Sequence, residues 1–148
     1  MFSQGRERYA YLPDNDVIVK SRVEYIIYRK LLDAQSKHGN FKFEYEGTYV
    51  VDGHSFDIHP DFQLTFSDGR VIYWEHLGLV TSKSYMNGWD SRRKIYKDQN
   101  DFDKVMTTDE LRGISDEKIE GIIEQLVLNT LITEDESDRY SKMHLSLR

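Results

Sequence analysis

The chain of 148 residues contains no cysteine, and that absence removes disulfides, thiolate catalysis and the usual structural zinc sites. It has no apolar run near the roughly 20 residues a membrane helix needs, and its opening, MFSQGRERYAY, holds no signal-peptide core. A soluble, cytoplasmic protein with no membrane partner is expected. Excess positive charge is also missing: 20 Lys and Arg stand against 26 Asp and Glu, a net charge of −6, so nothing global argues for nucleic-acid binding. No repeat, low-complexity tract or linker divides the sequence. What is present is a hydrophobic fraction of 39% with ten tyrosines and seven phenylalanines, enough for one folded domain over 1–148.

The most informative stretch is HPDFQLTFSDGRVIYWEHLG, from His59 to Gly78. An Asp-Gly pair, Asp68 and Gly69, between two apolar runs predicts a hairpin, because both turn residues tolerate positive φ. Strands are expected at about 61–66 and 71–77. Alternation along the second puts Val71, Tyr73, Glu75 and Leu77 on one face and Ile72, Trp74 and His76 on the other. Both faces are largely apolar, which predicts a central strand and makes Glu75 a buried acid. Asp61 opens the partner strand just after Pro60, a residue suited to a strand start. The hairpin brings the two carboxylates together. Adjacent buried acids are unfavourable unless a cation or a shared proton relieves them, and magnesium is the ordinary relief for oxygen ligands.

Around this hairpin, helical spacing of Val23, Ile26, Ile27, Leu31 and Ala34 predicts a helix over about 21–38, ended by Gly39. Glu24, three residues after Ser21, fits a capping box that reaches back to a free N–H. Residues 41–51 alternate as a strand, with Phe41, Phe43 and Tyr45 on one face and Lys42, Glu44 and Glu46 on the other. His54, Asp57, His59 and Asp61 lie within eight positions, a spacing that matches no tight metal motif, so a loop with incidental histidines is expected. A helix over about 82–98 places Tyr85, Trp89, Arg92 and Tyr96 on one stripe. That region holds Lys83, Arg92, Arg93, Lys94 and Lys97 against one Asp90. Aromatic and basic residues so interleaved can stack on a nucleic-acid strand, or the aromatics can pack on the sheet while the cations face water. Residues 103–108 read as a strand, which makes 71–108 a crossover unit with parallel pairing. A last helix follows Ser115, with Ile119, Ile122, Ile123, Leu126 and Val127 as its core face. Arg6 and Arg8, a turn at Pro13 and Asn15, and the acidic group Glu134, Asp135, Glu136 and Asp138 complete the chain.

The order helix, strand, hairpin, helix, strand, helix, with acids opening the second strand and inside the third, resembles the restriction-endonuclease-like, or PD-(D/E)XK, nuclease superfamily. Ser21 to Glu24, Tyr45 and Glu46, Pro60 to Phe62, Glu75 to Gly78 and Val105 to Thr108 carry the match, across about 20–128. The YWEHLG segment and the Tyr85, Trp89, Arg92 run further resemble nuclease modules attached to bacterial DNA helicases and defence proteins. The resemblance implies an α/β fold with an αβββαβ core, a mixed central sheet flanked by helices. It implies magnesium- or manganese-dependent hydrolysis of DNA phosphodiester bonds. Asp61, Glu75 and the backbone carbonyl of His76 would hold the metal, assisted by Glu24, and Lys83, Arg92, Arg93 and Lys97 would face the DNA. The family pattern puts a lysine two residues after the glutamate, where this chain has Leu77. Lys94 or Arg92 from the following helix would then supply the catalytic cation. The alternative implied by Leu77 is an inactive nuclease-fold module that binds DNA or a partner protein such as a helicase.

Overall fold

The computed structural model describes residues 17–110 and 114–128. Arg6, Arg8, Pro13 and Asn15, and the acidic group from 134 to 138, lie outside the described residues. The elements run α1 (Arg22–His38), β1 (Phe41–Tyr45), β2 (Tyr49–Val50), β3 (Asp57–Ile58), β4 (Phe62–Phe66), β5 (Val71–Leu77), α2 (Lys83–Asp98), a short 3-10 turn (Phe102–Lys104), β6 (Val105–Asp109) and α3 (Asp116–Leu128). Among the described residues the fold is mixed α/β: three helices with a four-stranded sheet in the order β1-β4-β5-β6. The first three strands are antiparallel in that order, and β6 joins β5 in parallel. Parallel pairing is what a strand, helix, strand crossover requires. No described helix is long and apolar enough to cross a membrane.

The alternation expected along β5 holds. Ile72 and Trp74 enter one core with Ile27 and Leu31 of α1, Phe62 and Leu64 of β4 and Ile119, Ile123 and Leu126 of α3. Tyr73 and Leu77 enter a second core on the opposite side, with Trp89 and Tyr96 of α2 and with Tyr49 and Ile58 of the β2–β3 ribbon. Covered on both faces, β5 buries Glu75 to 2% exposure. Burying each large apolar side chain contributes about 1.5–3 kcal/mol, so two cores clamped on one strand make β5 the rigid centre of the molecule.

Helix α1 begins where the spacing predicts, with Ser21 as N-cap accepting from the Glu24 N–H at 3.1 Å and Gly39 closing the far end at φ 69°. The reciprocal half of the capping box is not made. The Glu24 carboxylate accepts from the Lys20 N–H rather than from Ser21, and it also serves Tyr45.

Two expectations are corrected. The strand expected over 41–51 stops at Tyr45, because Glu46 turns to φ 52° and Gly47 approaches Gln63 so closely that a Cβ there would lie 2.6 Å from its Oε1. Tyr49 and Val50 pair instead with Ile58 and Asp57 in a separate two-stranded ribbon. The β4–β5 turn differs as well. Phe66 accepts from the Gly69 N–H and donates to the Arg70 carbonyl, and only Gly69, at φ 95°, enters the left-handed region. A single left-handed residue after an ordinary turn closes a longer hairpin loop than the two-residue type.

A side chain in the left-handed region costs about 1–2 kcal/mol. Gly69→Ala is therefore expected to lower unfolding stability by roughly that amount in urea titration, and an unchanged midpoint would contradict the turn geometry.

Candidate functional site

A cavity of about 790 Å³ opens where α1, the loop after β1, the start of β4 and the end of β5 converge. Sheet register explains the convergence. Phe62 pairs with Trp74 in antiparallel array, so one step outward sets Asp61 beside Glu75, and directly opposite residues of such a pair share a face. Asp61 Oδ2 accepts the His76 N–H at 2.6 Å, tying the loop before β4 to the third strand of the sheet. Both acids line the cavity, as do Glu24, Glu46 and His59.

Glu75 is held by α2. Its Oε2 accepts the Tyr96 hydroxyl at 2.9 Å, and its Oε1 lies 3.5 Å from the Arg92 guanidinium, which also stands over the Trp89 ring. Burial pushes the Glu75 carboxyl above its ordinary range, while Arg92 and Tyr96 oppose the shift. Asp61 is pushed from 3.8 to about 8, first by burial and then by the negative charge of Glu75, with the His76 N–H partly offsetting. The acids are thus in the unfavourable arrangement that the sequence suggests, with the Arg92 guanidinium 3.5 Å from Glu75 as partial relief.

The carboxylates that face this cavity offer oxygen atoms, which suit a hard divalent ion. Among the described residues no group of three or more His, Asp or Glu side chains is drawn together tightly enough to hold a metal. Magnesium keeps most of its waters and binds through one or two carboxylates, and Asp61, Glu75 and the His76 carbonyl fit that smaller requirement. That carbonyl accepts a long 3.3 Å bond from the Tyr85 hydroxyl. Glu24 stands at the cavity edge, its Oε1 accepting the Lys20 N–H at 2.9 Å and the Tyr45 hydroxyl at 2.8 Å. It does not join Asp61 and Glu75 in a three-carboxylate centre.

The basic residues of α2 separate. Arg92 lines the cavity, whereas Lys94 does not and is exposed. Arg93 pairs with Asp90 at 3.2 Å, Lys97 lies over the Phe102 ring, and Lys83 is exposed at the helix start. Trp89 and Tyr96 are buried, so they pack on the sheet and leave Tyr85 as the aromatic facing the cavity. The histidines divide too. His54 packs on Phe56 beside a different cavity, while His59 lines this one and donates Nδ1–H to the Gly47 carbonyl at 2.9 Å.

Three further contributors come from outside the hairpin and α2. Lys20 reaches the rim from the segment before α1, and Glu46 meets it there; the left-handed backbone of Glu46 carries a strain of about 1–3 kcal/mol. Glu110 lies 3.1 Å from His76 Nε2. On the far side of that ring, Thr108 Oγ1 accepts the Trp74 indole N–H at 3.0 Å and meets His76 Nδ1 at 2.8 Å. A Thr108 hydroxyl donating to Nδ1 and an Nε2–H donating to Glu110 satisfy this chain. Tyr96, four residues beyond Arg92 on the stripe expected from the sequence, is by contrast a site residue that local spacing does signal.

What the fold and site define is a mixed α/β protein with a carboxylate-lined cavity at the end of its central strand. Comparison with family models, curated proteins and solved structures finds no significant match to this chain.

The raised Asp61 predicts a definite pH dependence of stability. In the unfolded chain this carboxyl ionises near 3.8, in the folded protein only near 8. Between those values folding takes up a proton, so stability falls as pH rises through the window, by up to about 1.4 kcal/mol per pH unit. Asp61→Asn, which keeps an acceptor for the His76 N–H, lacks that titration. In EDTA it is expected to melt above the unsubstituted protein near pH 8 and alongside it near pH 4; parallel curves would contradict the assignment.

Proposed function

We propose that this chain is a divalent-metal-dependent DNA nuclease of the restriction-endonuclease-like kind, hydrolysing phosphodiester bonds with magnesium or manganese. One observation carries the reading: Asp61, just before β4, and Glu75, on the neighbouring strand β5, line a single cavity that is open to solvent. The element order α1, β1, β4, β5, α2, β6 supports an αβββαβ core, with the β2–β3 ribbon as an insertion.

In this reading Asp61, Glu75 and the His76 carbonyl would hold the ion, which would supply a neutral-pH nucleophile and charge stabilisation at the phosphate. The chain's own residues do the rest. The Tyr96 hydroxyl and Arg92 orient Glu75 and keep its charge tolerable. The His76 N–H fixes the rotamer of Asp61. Of the two cations suggested for α2, Arg92 is the one within the cavity, where its planar fork is suited to clamping phosphate oxygens. Glu24 assists indirectly by holding Tyr45 and the backbone of Lys20.

Leu77 favours a second reading, a module of the same fold that binds DNA, or a partner such as a helicase, without cutting. The residue is 6% exposed and packed in the second core, so no charged group extends from that position.

Plasmid and single-stranded DNA incubated with magnesium or manganese separate the two. Nicking is expected with the unaltered protein, abolished by EDTA and by Asp61→Ala. Arg92→Ala is expected to lower the rate by roughly 10²-fold or more, the scale of losing a charge-stabilising donor, and Lys94→Ala to leave it within about 3-fold, as for a cation in solvent. Equal nicking by Asp61→Ala removes the nuclease reading, and binding without turnover at any metal concentration selects the second.

A further inference from the structure

Among the described residues the cavity is lined by two cations, and they are held in opposite ways. Arg92 is directed inward, with its charge set against an almost fully buried carboxylate. Lys20 sits at the rim, its side chain 74% exposed and its ammonium 2.6 Å from Glu46.

The backbone on both sides of this rim pair is anchored to the acidic site itself. The Lys20 N–H donates to Glu24, and the Glu46 N–H donates to the carbonyl of Asp61. Glu46 is also a non-glycine residue at φ 52°, a conformation held only where the surroundings impose it. The hydrogen bond to Glu46 raises the Lys20 ammonium above its ordinary range, and the charges of Glu24 and Asp61 add to the effect. Lys20 is therefore a permanent cation suspended over the carboxylates, acting as a donor and not as a base.

An ion pair this exposed contributes little to folding, so the ammonium can exchange Glu46 for another anion at small cost. Lysine is a point-charge ligand for phosphate. We propose that Lys20 is the residue that grips the phosphate backbone of a nucleic-acid strand at the cavity mouth, and that Glu46 is the competing anion it leaves when the strand enters. The assignment rests on the nucleic-acid reading above and specifies which contact admits the strand.

The test uses the full chain and a fluorescein-labelled oligothymidylate, with affinity read by anisotropy in calcium across a salt series. Lys20→Met is expected to bind roughly 3- to 10-fold more weakly and to flatten the slope of log affinity against log salt by about 0.7, the loss of one single-strand phosphate contact. Lys20→Arg retains most of the affinity, and Glu46→Gln binds more tightly than the unaltered protein by removing the competitor. A merely structural role for the pair predicts equal weakening by Lys20→Met and Glu46→Gln and an unchanged salt slope, and that result overturns the proposal. So does a Lys20→Met protein with unaltered affinity and slope, an outcome that leaves the Asp61-dependent cleavage test standing. Lys20-dependent binding by a protein that never nicks DNA supports the Lys20 assignment while the nuclease reading fails. Absence of binding by the unaltered chain overturns both.

Discussion

The structure depends on one unfavourable arrangement: two carboxylates, Asp61 and Glu75, enclosed at the end of a strand that is covered on both faces. Repulsion between them and loss of water both act against ionisation, and the rest of the site can be understood as a response. Tyr96 and Arg92 of α2 partly neutralise Glu75, and the backbone of β5 partly neutralises Asp61 through the His76 N–H. Such a site is retained at a cost in stability, which is why polar convergence in a buried place suggests function more than architecture does.

The two cores divide the labour. The core on the α1 and α3 side is the larger, and joins Trp74 and Phe62 to Leu64, Met106 and the apolar faces of both helices. The core on the α2 side holds Tyr49, Tyr73 and Tyr96, whose rings pack edge to face, tilted and stacked. Tyrosine fits this side because its ring fills volume while its hydroxyl finds a polar partner: Tyr96 reaches Glu75 and Tyr49 reaches Asp101. The layer that packs the sheet thereby also tunes the acid at its centre. The same economy appears at β6, where Thr108 takes the Trp74 indole N–H and orients His76 toward Glu110.

Much of the framework was legible in particular residues. Ser21, Gly39 and the apolar spacing between them mark α1; the alternation from Val71 to Leu77 assigns Glu75 to its face; and the Trp89 to Tyr96 stripe marks the side of α2 that meets the sheet. The break after Tyr45 was hidden because residues 41–51 alternate well enough to read as one strand, and it is the left-handed turn at Glu46 and the close approach of Gly47 to Gln63 that take the chain out of the sheet. Within the site, Asp61, Glu75 and Arg92 follow from local pattern plus strand register. Lys20 and Glu46 do not, since nothing near either residue in the chain signals the other.

What the sequence by itself determined is therefore periodic: which segments are helix or strand, which face of each is apolar, and that an acid on the central strand is buried. Those properties depend on neighbours two to four positions away, the range over which side-chain alternation and helical spacing operate. Only tertiary structure decided that His59 and not His54 lines the cavity, and that Lys20 meets Glu46 at its rim. Each of those choices brings together segments far apart in the chain, and their approach is set by how the whole chain packs, not by any local run of residues.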